Sequence, residues 1–79
     1  MLQFALCFMP TDLSEALRIA VRADQLGLHA VCPADSPILC KEIFSCLAAC
    51  ASKTERVLLG PTVTNPVTRH PTVLASAMM

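Results

Sequence analysis

Tryptophan is absent, charge is sparse, and no apolar run is long. Only 15% of the 79 residues are charged, while 54% are hydrophobic. An ordinary soluble domain is about 25% charged. A chain this short buries only about 60% of its unfolded surface, so so apolar a composition suits a piece of a larger core. The net charge is zero and the basic residues are scattered, which leaves no stripe for nucleic acid. No run approaches the roughly 18 apolar residues of a membrane span. The opening Met1 to Pro10 lacks the basic start of a secretory signal. Together these absences point to the cytoplasm, with no nucleic-acid or membrane partner.

Cysteine is plentiful but poorly arranged for chemistry. Cys7, Cys32, Cys40, Cys46 and Cys50 form no C-x-x-C pair, and His29 and His70 lie in distant segments. A metal site would need more converging ligands. The cysteines therefore read as small buried hydrophobes, and no metal is expected. A cysteine-based redox or metal protein is the weakest of the functional classes.

What is present is an alternation of short apolar runs and helical patterns. Leu2 to Phe8 is a strand candidate that stops at Met9-Pro10. Asp12 and Glu15 have capping-box spacing for a helix over about 12–26, with Leu13, Leu17, Ala20, Val21 and Leu26 on its apolar face. Gly27 suits the left-handed residue after that helix. Leu28 to Cys32 is a second strand, ended by Pro33. A second helix is predicted over about 39–52, with Ile43, Phe44, Leu47, Ala48 and Ala51 facing inward. Arg56 to Gly60 is a third strand, and Pro71 is well placed to be the first residue of a third helix.

Strands joined by helical crossovers make a parallel sheet, so the fold class is α/β. The strand starts near 2, 28 and 56 are about 26 to 28 residues apart. Eight such units give the roughly 250 residues of a TIM (β/α)8 barrel, although a doubly wound sheet has the same alternation. No G-x-G-x-x-G follows the first strand, which removes the support for a Rossmann dinucleotide site.

Function in parallel folds gathers on loops beyond the C-terminal ends of strands. Asp35 lies in the second of these loops. It could face a ligand as an acid or base, or Asp35 or Ser36 could cap the next helix. The third loop, Pro61 to Pro71, is dense in hydrogen-bonding side chains and stiffened by three prolines. Arg69 could pair with an anion and His70 could transfer a proton. The plainer alternatives are an arginine on the rim and a histidine capping a helix.

The segment LGPTVTNPVTRHPTVLASA resembles the third strand, loop and helix of the bacterial-luciferase-like family. The opening strand ending FMP, the helix ending ADQLGLHAV, and then PADSP and LAACASKTERVLLG agree in order. The likeness is nearest to members of the methylenetetrahydromethanopterin reductase type, which use coenzyme F-420. It implies the first three βα units of a TIM barrel, incomplete at this length, with residues 1–79 as one N-terminal part of the domain. It also implies a cytoplasmic homo-oligomer that passes a hydride between F-420 and a small organic substrate. An FMN-dependent monooxygenase is the alternative, and a non-catalytic remnant or self-association module is the alternative of another class.

The resemblance places Asp35 near the ring as a catalytic candidate. It places Thr62, Val63, Thr64 and Asn65 against the cofactor, with the Thr62–Val63 peptide cis behind the ring. Arg69 and His70 remain the candidates for substrate or anion contact. Two departures stand out: Ser36 follows Asp35 where several deazaflavin-using relatives have His, and Cys32 stands where an aromatic is common. With no later strands to hold the cofactor's phosphates, the 79-residue chain alone is expected neither to bind the coenzyme tightly nor to turn over.

Overall fold

The computed structural model describes Met1–Met79. Three parallel strands, β1 (Ala5–Phe8), β2 (Ala30–Pro33) and β3 (Leu58–Leu59), alternate with α1 (Leu13–Leu26), α2 (Ile43–Ala51) and α3 (Pro71–Met78). The sheet order is β1-β2-β3. Leu6 pairs with Val31, and Val31 with Leu59. Strand side chains alternate between faces. Leu6, Phe8, Val31, Pro33 and Leu59 therefore share the face that α1 and α2 cover. Ala5, Cys7, Ala30, Cys32 and Leu58 share the other.

The core lies between that face and the two helices. Val31 and Val57 meet Ala16, Ala20 and Ala23 of α1 and Cys46 and Cys50 of α2. Small side chains at four- and three-residue spacing let α1 come close to its neighbours, and the Cys50 thiol reaches the Ala16 carbonyl at 3.8 Å. The inward stripes differ from the sequence expectation. On α1 the three alanines are buried, while Leu13 and Leu26 are exposed. On α2 the buried stripe is Ile43, Cys46 and Cys50, with Ala48 and Ala51 outside. Close helix contact selects small residues at the seam and turns the larger ones outward. Cys7 is exposed, not a buried hydrophobe, because it projects from the uncovered face.

Several elements are shorter than the sequence suggests, each for an identifiable reason. β1 begins at Ala5, not Leu2, because pairing with β2 starts there. The second strand spans Ala30–Pro33 and not 28–32, because its pairing with β1 starts at Ala30 and continues through Pro33, which pairs with Phe8. The second helix begins at Ile43, not near 39, because the chain first turns over Ser36–Cys40. In that turn the Leu39 and Cys40 amides donate to the Ser36 carbonyl, and Ile38 takes a left-handed φ of 76°. The third strand keeps only Leu58–Leu59 because its lead-in is bonded elsewhere. The Glu55, Arg56 and Val57 amides donate to the Asp24 carboxylate at 3.0, 2.9 and 2.8 Å.

Asp24 thus joins the end of α1 to the approach of β3. Those three amide donors hold its carboxyl below the ordinary 3.8. Its contribution to stability is complete above that ordinary value and is lost as pH falls through the lower folded pKa. Asp24→Ala strands three donors at once. Amide hydrogen exchange at Glu55, Arg56 and Val57 should speed up by roughly tenfold or more, with smaller changes in the middle of α1. Unchanged exchange there would mean that the carboxylate does not order the approach to β3.

Candidate functional site

The C-terminal ends of the strands share one edge of the sheet, and their loops are hooked together by backbone bonds. The Ala34 amide donates to the last carbonyl of β1, Phe8, at 2.9 Å. The Thr62 amide donates to the last carbonyl of β2, Pro33, at 3.0 Å. Lys41 reaches back to the Pro10 carbonyl at 2.8 Å. Each loop therefore starts from a point fixed by the strand before it.

Asp35 stands one residue past the Ala34 hook, with its side chain 4% exposed. It caps no helix. Its Oδ2 accepts from the Thr64 hydroxyl, in a short bond, and from Arg69 Nη1 at 3.1 Å. The cap of α2 is Glu42, whose carboxylate accepts the Phe44 and Ser45 amides at 3.3 and 2.7 Å. Glu42 also accepts from Arg69 Nη2 at 2.7 Å. The Arg69 guanidinium lies 4.7 Å from the centre of the Phe44 ring, a favourable cation–π arrangement. It also donates to the Thr68 hydroxyl.

The sequence brings Asp35, Thr64 and Arg69 under suspicion, and the fold brings them into contact. Glu42 and Phe44 complete the cluster without having been singled out as site residues. Glutamate directly ahead of an apolar helical run was the available signal, but it is not among the favoured capping types.

Thr62 and Val63 sit at the end of β3, and the peptide between them, the bond marked by the resemblance, is cis. Val63 is 78% exposed. Its neighbours are fixed on both sides, Thr62 by the Pro33 carbonyl and Thr64 by Asp35. Asn65 turns inward on its own loop, accepting the Val67 amide at 2.9 Å. His70 is the cap of α3, its Nδ1 accepting the Thr72 amide at 3.2 Å. That bond occupies one ring nitrogen and leaves the other to solvent or ligand.

The remaining chemistry-bearing groups stand apart. Cys46 and Cys50 lie in the core. Burial pushes the Cys50 thiol up to about 11 and also raises Cys46. A thiol that stays protonated at neutral pH is a poor nucleophile and metal ligand. No group of three or more His, Cys, Asp or Glu side chains converges on one point. No helix is long and apolar enough to cross a membrane.

Glu42 has an unusual titration. Burial alone would raise its carboxyl, but the Arg69 guanidinium and the Ser45 and Phe44 amides outweigh burial and hold it at about 2, against an ordinary 4.5. The pair's stabilisation is therefore fully present above 4.5 and is lost as pH falls through about 2. A carbon-13 titration of the Glu42 carboxyl should have its midpoint at about 2, and Arg69→Met should move it up toward 4.5. An ordinary midpoint in the native chain would mean that the ion pair does not persist in solution.

A sequence profile of luciferase-like monooxygenases matches residues 5–79, which takes in every strand, helix and loop described above. No curated protein matches the chain. The family is one of flavin-type oxidoreductases, which generally use a flavin or F-420 as cofactor. The match covers far more than half of the sequence, and the chain belongs to the luciferase-like monooxygenase family.

Proposed function

We propose that this chain supplies the first three βα units of a TIM-type barrel oxidoreductase, working with coenzyme F-420 to move a hydride to or from a small organic substrate. Both helices between the strands pack on one face of a sheet whose strand order follows the sequence. Successive right-handed crossovers in one direction give that arrangement, as at the opening of a barrel and equally in one half of a doubly wound sheet; the choice of a barrel rests on the family. The proposed holoprotein is a cytoplasmic homo-oligomer.

The observation that carries the cofactor reading is Val63. An apolar side chain, 78% exposed, stands at the C-terminal end of a parallel sheet on backbone anchored at both flanks. Such an apolar surface suits the face of a planar ring system. The cofactor would bring the hydride chemistry, and the protein would bring orientation. Thr62, Val63, Thr64 and Asn65 would bear on the ring, while Asp35 would offer a carboxylate at its edge. An FMN-dependent monooxygenase would use the same residues.

A second reading, a self-association module without catalysis, draws on the outer edges of β1 and β3. Neither edge has a strand partner, and unpaired edges invite pairing with another chain. One preparation separates the readings: the protein expressed from its native gene, weighed intact, with any bound chromophore extracted and identified by mass. A deazaflavin supports the proposal and FMN selects the monooxygenase alternative. A protein of 8.5 kDa with no chromophore, forming discrete oligomers, would replace both with the module.

A further inference from the structure

Arg69 looks at first like a cation waiting for an anionic ligand. Its surroundings give it another task. Both terminal nitrogens already donate to protein carboxylates, Nη1 to Asp35 at 3.1 Å and Nη2 to Glu42 at 2.7 Å. The plane is stacked against Phe44, and the side chain is 16% exposed. Three of its five N–H groups are taken, by Asp35, Thr68 and Glu42, and two carboxylates already answer its single charge, which leaves little attraction for a further anion.

The two oxygens of Asp35 are treated differently. Oδ2 takes both protein donors, the Thr64 hydroxyl and Arg69. Oδ1 takes none, and no sealed side-chain oxygen in the protein lacks a partner, so Oδ1 is reachable from outside. Asp35 lines a cleft of about 370 Å³ with Pro37, Lys41 and Thr68. Two donors converging on one oxygen hold the carboxylate plane in one orientation.

We propose that Arg69 is a positioning residue: it locks Asp35 through Oδ2 so that Oδ1 is left to accept a hydrogen bond from an N–H or O–H group of the bound ligand. This rests on the oxidoreductase reading, because the ligand is the cofactor or substrate at that mouth. Arginine suits the task because its rigid fork serves two carboxylates at once, whereas the single ammonium of lysine does not reproduce that geometry. The ligand class follows from the free acceptor. It is a group with a donor hydrogen, such as a ring N–H or an alcohol, and not an anion.

The test is a double-mutant cycle on the protein expressed from its native gene, with F-420 and FMN as fluorescence-titration probes. Arg69→Lys keeps the charge and much of the stem over Phe44. It should weaken the probe that the native protein takes by roughly tenfold, and Asp35→Ala by at least as much; in the Asp35→Ala background, Arg69→Lys should cost nothing further. Additive losses would overturn the proposal, since Arg69 would then act on the ligand without Asp35. Amide exchange on the unliganded proteins gives a second readout. Arg69→Lys should speed exchange of the hydrogen-bonded Thr62 and Val67 amides of the same loop by roughly tenfold, and unchanged exchange would also overturn the positioning role. If the native protein takes neither probe, the cofactor reading falls and the ligand-facing role of Oδ1 falls with it. The exchange result then still decides separately whether Arg69 orders the loop.

Discussion

A carboxylate taken almost wholly out of water is costly unless it is paired and hydrogen-bonded. Asp35 is in that position, and the group that answers it comes from 34 residues further along the chain. Arg69 can reach Asp35 only if the β3–α3 loop folds back over the start of α2. Once there, it meets Glu42 and the Phe44 ring as well. The end of β2, the first turn of α2 and the approach to α3 are tied through one guanidinium. Two carboxylates and one guanidinium leave a single net negative charge there, so the loops are drawn together without leaving a strongly charged mouth.

Beneath the mouth, packing sets the geometry. The alanines of α1 and the paired cysteines of α2 keep the helices close to one another and to Val31. The opposite face of the sheet presents Ala5, Cys7, Ala30, Cys32 and Leu58, most of them small. Two helices on one side and small side chains on the other leave the strand ends open at a single edge. The candidate residues collect at that edge because the topology delivers each loop there. The family assignment and the geometry agree in where they direct attention, although they rest on different observations.

Features set by covalent geometry were plain in the sequence. Gly27 takes a φ of 79° and Pro71 opens α3, each where its backbone preference puts it. Asp12 accepts the Ser14 amide within its own turn. Glu15, which spacing would send back to that cap, instead leans toward Arg18 at 3.8 Å, an exposed pair of little energetic weight. Features that depend on distant partners were hidden. Asp24 reads as one more polar residue on an outward helix face, because the three amides it serves lie more than thirty positions away. The inner stripe of α2 is hidden for a similar reason. Hydropathy favours Phe44 and Leu47, but the presence of α1 at close range favours Cys46 and Cys50. Asp35 and Arg69 were legible as candidates and illegible as a pair.

The hooks at the strand ends have a consequence for how such a chain can change over evolution. Phe8 fixes where the second loop begins, and Pro33 fixes where the third begins. An insertion immediately after either strand would unseat the next hook, and the disturbance would pass from strand to strand in order. Insertions further along a loop, past the hooked residue, leave every anchor in place. The fold thus separates a constrained first step in each loop from a freer second part, and changes of length in the second leave the anchors of the first in place.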